Sequence, residues 1–188
     1  MMHRFFTLAF VIATTAFAQT QAAIPGVIAA GTQPQLVKDG FTWSEGPVPA
    51  PGGGLYFTDV FGLKVYRLDK NDKLTVLQEH STGANGLYVD KNGDLYAADG
   101  APGRRISRGN QTGHPVTVVD RVNGKPFGAP NDLMMDSKGG IYFTNPSEKP
   151  SKTGPPGEVY YLPPHGKDPI LLDNKLIFPN GIALTSDE

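Results

Sequence analysis

Ser44-Glu45-Gly46-Pro47, Ala84-Asn85-Gly86-Leu87, Pro130-Asn131-Asp132-Leu133 and Pro179-Asn180-Gly181-Ile182 are four versions of one short motif. Each opens an apolar run of strand-like composition. Their second residues, Glu45, Asn85, Asn131 and Asn180, lie 40, 46 and 49 positions apart (85−45, 131−85, 180−131). A second element recurs in the same phase: Leu55-Tyr56-Phe57-Thr58-Asp59, Leu95-Tyr96-Ala97-Ala98-Asp99 and Ile141-Tyr142-Phe143-Thr144-Asn145, spaced by 40 and 46 (95−55, 141−95). After each comes a third run, Lys64 to Leu68, Arg105 to Arg108 and Glu158 to Leu162. A fourth follows, Leu74 to Leu77, Val116 to Val119 and Pro169 to Leu172. Aromatic and β-branched residues fill these runs, and turn clusters such as Lys91-Asn92-Gly93-Asp94 and Ser137-Lys138-Gly139-Gly140 separate them. Four short strands per unit, at a period of roughly 40 to 50 residues, predict β-propeller blades. No stretch sustains apolar residues at spacings of three and four, so almost no helix is expected.

In a radially symmetric fold, equivalent points of successive units face one axis. Glu45, Asn85, Asn131 and Asn180 each carry a side-chain oxygen at such a point. The repeat therefore predicts a ring of oxygen ligands, which is how proteins hold a hard cation. Calcium accepts mixed carboxylate and amide donors, whereas zinc prefers histidine and cysteine. The four histidines, His3, His80, His114 and His165, show no paired spacing. Asparagine followed by glycine is also a turn signal, because Asn tolerates left-handed backbone angles. That alternative stays open for Asn85. At Asn131 and Asn180 a preceding proline and a following apolar run favour the site, and a glutamate between Trp43 and Pro47 is an unusual choice for a turn.

The chain has 188 residues, 39% of them hydrophobic, with 23 glycines and 17 prolines. That suits one packed, turn-rich domain. Net charge is −1 and no basic block exists, so nucleic acid is not an expected partner. Cysteine is absent, which excludes disulfides, thiolate metal sites and a cysteine nucleophile. Neither a Gly-x-Ser-x-Gly elbow nor a phosphate-cradling loop occurs. Asn110-Gln111-Thr112 fits the N-glycosylation pattern. Arg4, the apolar run Phe5 to Phe17 and the small-x-small triplet Ala16-Phe17-Ala18 read as a signal peptide over residues 1–18. The run is shorter than the ~20 residues a spanning helix needs. A periplasmic or secreted bacterial protein with no stable membrane span is expected. Residues 19–40 read as a polar lead-in and 41–188 as the propeller region. The sequence stops inside the fourth unit, so a piece of a longer chain is expected, one poorly soluble or oligomeric by itself.

Trp43-Ser44-Glu45-Gly46-Pro47, Pro130-Asn131-Asp132-Leu133 with Ile141 to Pro146, and Pro179 to Leu184 together resemble the senescence-marker-protein/gluconolactonase/luciferin-regenerating-enzyme (regucalcin-like) family. The resemblance runs from about residue 41 onward. It implies a six-bladed all-β propeller, of which this chain holds about three and a half blades, with one divalent metal in the central channel. It also implies hydrolysis of lactones or related esters. Glu45, Asn131 and Asn180 match the family's metal-binding Glu and two Asn. The cation implied is Ca2+, with Zn2+, Mg2+ and Mn2+ as alternatives. Asn85 and Asp132 are the candidate substrate contacts. The family's remaining acid, an Asp often assigned as general base, lies past Glu188. One departure concerns substrate: the family often has Arg two positions before Asn131, where this sequence has Ala129. A sugar-acid substrate is therefore not implied. The alternative reading is a non-catalytic calcium-binding propeller that binds protein or carbohydrate.

Overall fold

The structure, a computed structural model, describes residues 22–149, 151 and 153–187. The expected signal peptide and residues 19–21 of the lead-in lie outside the described residues. The chain divides into two units, before and after the Asp39–Gly40 junction. In the first, Ile24 and Ile28 exchange two backbone hydrogen bonds of 2.9 Å around a turn. No described helix is long and apolar enough to cross a membrane.

The second unit is all-β, a partial propeller of three complete blades. Blade one is β1 (Ser44–Pro49), β2 (Leu55–Asp59), β3 (Lys64–Leu68) and β4 (Leu74–Gln78). Blade two is β5 (Ala84–Val89), β6 (Leu95–Asp99), β7 (Arg105–Arg108) and β8 (Val116–Val119). A small hairpin, β9 (Arg121–Val122) and β10 (Lys125–Pro126), follows. Blade three is β11 (Leu133–Met135), β12 (Ile141–Asn145), β13 (Gly157–Leu162) and β14 (Ile170–Leu176). Each blade is an antiparallel meander in sequence order. β1, β5 and β11 are the inner strands, and β5 packs between the other two.

Packing explains why the second strands were so readable. Every position of β6 is buried, and so are four of the five in β2. A strand with a sheet on each face loses the usual polar alternation and becomes a continuous apolar run. One core, including Tyr56, Val65, Leu87, Leu95 and Ala97, fills the space between blades one and two. A second, including Ile106, Phe127, Leu133, Phe143 and Tyr160, lies between blades two and three. Phe127 and Phe143 meet edge-on at 5.2 Å, and Phe143 stacks on Tyr160 at 5.4 Å.

Four features go beyond what the sequence showed. The β9–β10 hairpin turns on Asn123-Gly124, both at positive φ (49° and 76°), the backbone that a two-residue hairpin demands. A single 3-10 turn, Asn110–Thr112, interrupts blade two. Its Asn110 is fully buried, donating to Leu95 O and Ser107 Oγ and accepting from Gln78 Nε2 at 2.7 Å. In this fold the glycosylation pattern is closed to an enzyme. β14 runs on to Leu176, four residues past its predicted end. Finally, residues 179–187 form no strand, contrary to expectation. β1, β5 and β11 each pair with the second strand of their own blade.

Candidate metal centre

The four motif residues arrive at the inner strands by a shared irregularity. The β1–β2 ladder slips between Glu45 and Val48, and the β5–β6 ladder slips between Ala84 and Leu87. A bulge at this point re-aims the side chain that precedes or occupies it. In blade three Asn131 and Asp132 sit just ahead of β11, tied to β12 by Asn131 N to Thr144 O (3.0 Å) and Thr144 N to Asp132 O (3.0 Å). Asn85 lies inside β5, so the turn reading fails for it.

Close approach between blades is bought with glycine. Gly46 has φ of 54°, and a Cβ there would fall 2.2 Å from the Asn85 carbonyl oxygen. A Cβ on Gly86 would lie 2.1 Å from Asp132 Oδ1 and 2.8 Å from Asn131 O. Gly86 N donates to Asn131 O at 2.7 Å. These contacts bring Glu45, Asn85, Asn131, Asp132 and Asn180 around one cavity of about 420 Å³, although Glu45 and Asn180 are 135 positions apart in sequence (180−45).

The side chains differ in how they are held. Glu45 is half-buried, and its Oε1 accepts the Trp43 indole N–H at 3.1 Å. Trp43 is itself fixed, its N–H donating to Asp59 Oδ1 at 2.8 Å and its ring meeting Phe61 edge-on at 5.6 Å. Burial pushes the Asp59 carboxyl up, but the N–H groups of Thr42, Trp43 and Gly62 outweigh it and hold it below its ordinary value. Asn131 is 9% exposed and Asn180 is exposed. The side-chain amides of Asn85, Asn131 and Asn180 make no hydrogen bond among the described residues.

Asp132 is different. Its Oδ1 accepts Leu133 N and its Oδ2 accepts Ile182 N, each at 2.9 Å. Burial pushes its carboxyl above the ordinary value against those two bonds, and the Glu45 charge pushes the same way. Sequence reasoning missed Trp43, Asp59, Gly46 and Gly86; the glycines carried a signal, since both follow a motif residue directly.

The donor set suits a hard cation. It offers one carboxylate and three amide oxygens, with no thiolate or imidazole near, and oxygen-only sets select calcium or magnesium over zinc. No group of three His, Cys, Asp or Glu that could hold a metal occurs among the described residues, so any cation here depends on the amides.

Comparison with known proteins gives the family. The description SMP-30/Gluconolactonase/LRE-like region matches residues 43–188. The chain belongs to the SMP-30/gluconolactonase/LRE-like family. Within that family it is 27% identical over 186 residues to a gluconolactonase of Zymomonas mobilis, covering 88% of this chain and 52% of the relative. It is 29% identical to the lactonase drp35 of Staphylococcus haemolyticus, covering 71% of this chain and 42% of the relative. The solved gluconolactonase XC5397 of Xanthomonas campestris superposes with a TM-score of 0.67 at 29% identity, covering 73% of this chain and 50% of that one. The chain thus spans about half the length of these family members.

Proposed function

We propose that the protein carrying these residues hydrolyses a lactone or related ester, with a divalent cation, most simply Ca2+, held by Glu45, Asn131 and Asn180. One observation carries the reading: three oxygen-bearing residues from separate repeats, Glu45, Asn131 and Asn180, line a single cavity, and the two amides make no hydrogen bond among the described residues. The lactonase relatives supply the substrate class.

A cation bound there supplies Lewis-acid polarisation of the ester carbonyl and stabilisation of the developing oxyanion. The protein's own groups prepare the site. The Trp43 indole N–H donates to Glu45 Oε1, which restrains the carboxylate. With one anionic ligand and neutral amides, the set leaves the cation with positive charge to spend on substrate. Asn85 lines the same cavity with a free amide, suited to a polar oxygen of the substrate. Each Asp132 oxygen accepts one backbone N–H, which fixes the carboxylate at the cavity wall. We place the protein in the periplasm or outside the cell.

The test is hydrolysis of a panel of aliphatic, sugar and aryl lactones by the whole protein, with and without chelator. Turnover abolished by chelator and restored by Ca2+ is expected. Calcium binding without turnover of any lactone or ester would favour the non-catalytic propeller.

A further inference from the structure

Thr58 and Thr144 hold the same place in their blades, 13 positions after a ring residue (58−45, 144−131), and both are buried, at 0% and 3% exposure. They belong to the second-strand repeat, which the cation site as described leaves without a role. Each hydroxyl reaches across the seam between units. Thr58 Oγ1 lies 3.2 Å from Glu45 O and 3.0 Å from Asn85 O, a hydroxyl hydrogen shared between consecutive ring residues. Thr144 Oγ1 donates to Asn180 O at 2.6 Å and accepts Asp132 N at 3.1 Å. In blade two the equivalent position (85+13) is Ala98, which has no hydroxyl. There the Gly86 N–H grips Asn131 O instead.

Every ring residue after the first is therefore held by its main-chain carbonyl from the preceding unit. The side chain on that residue leaves the same backbone atom set, so fixing the carbonyl fixes the Cα from which the ligand oxygen is aimed. We propose that Thr58 and Thr144 are positioning residues for the cation site, stapling Glu45 to Asn85 and Asp132 to Asn180. The proposal rests on the reading of Glu45, Asn131 and Asn180 as ligands.

The experiment is calcium titration by calorimetry on the whole protein and on Thr144→Val, which keeps the shape and removes the hydroxyl. Loss of one neutral hydrogen bond predicts a two- to tenfold weaker affinity, roughly. Thr144→Ser should restore affinity to within about twofold of the parent. Leu162→Ala, a core truncation in the same blade, should lower the melting temperature at least as far without weakening calcium. A Thr144→Val protein that melts lower yet binds calcium like the parent would overturn the positioning role alone. A parent protein that binds no calcium would overturn the ligand reading and this proposal together. Thr58→Val is read in the same way, so misfolding at one position leaves the other to decide. Failure of both valine variants to fold would assign the threonines to folding and reject the proposal.

Discussion

Gly46→Ala should damage the seam between blades one and two more than any other single methyl group. Two costs add. Gly46 has φ of 54°, and holding an L-residue in that left-handed region costs about 1–2 kcal/mol. The new Cβ would also sit 2.2 Å from Asn85 O and 3.0 Å from both Gly86 Cα and Leu87 N. These are backbone atoms of a strand packed on both sides, so no side chain can swing away. Overpacking of this kind costs about 1–3 kcal/mol. The sum is roughly 2–5 kcal/mol, a large part of the ~5–15 kcal/mol that stabilises a typical domain. At about 2–4 °C per kcal/mol for a protein of this size, the melting temperature should fall by roughly 4–20 °C. Gly124→Ala is the matched control: its φ is 76°, but nothing lies within 4 Å of the added Cβ. It carries the strain without the collision. Urea unfolding of the whole protein compares the two. If Gly46→Ala costs no more than Gly124→Ala within about 0.5 kcal/mol, the blades are not pressed together as described.

Two further outcomes follow from buried polar groups. The Asp59 carboxyl is held below its ordinary value, so its contribution is present above the unfolded-state pKa near 4 and is lost as pH falls through the folded one. Asp59→Asn should thus cost about 2 kcal/mol at neutral pH and progressively less below about pH 4 in urea unfolding; a gap that stays constant down to about pH 2.5 would count against the tether. Asn110→Ala strips partners from Gln78 Nε2, Leu95 O and Ser107 Oγ, and should cost about 2–4 kcal/mol in thermal unfolding; a loss below about 1 kcal/mol would show that the pocket admits water freely.

The blades were legible because their second strands are sandwiched. Leu55 to Asp59, Leu95 to Asp99 and Ile141 to Asn145 were expected with the bounds the structure has. What could not be read depends on a neighbour in space. The slip after Glu45 exists because the next blade presses on Gly46, and sequence does not display that pressure. Residues 179–187 have the motif of a first strand yet form none. Position 14 after each ring residue looks like one repeated Asp or Asn, yet it does three different things. Asp59 tethers the chain ahead of β1, Asp99 pairs with Arg105 at 2.7 Å, and Asn145 links Gly128 to Glu158. At the site, phase alone singled out Glu45, Asn85, Asn131 and Asn180, all of which line one cavity. Phase could not separate Asn85 in a strand from Asn85 in a turn, because Asn-Gly suits both.

The central claim is that Glu45, Asn131 and Asn180 act together as ligands. Calcium titration of the whole protein against Glu45→Gln and Asn180→Ala addresses it most directly. Glu45→Gln removes the one charged ligand, and its affinity should fall beyond tenfold; Asn180→Ala should weaken binding less, by about the worth of one neutral ligand. Affinity equal to the parent in both variants would contradict the ligand set.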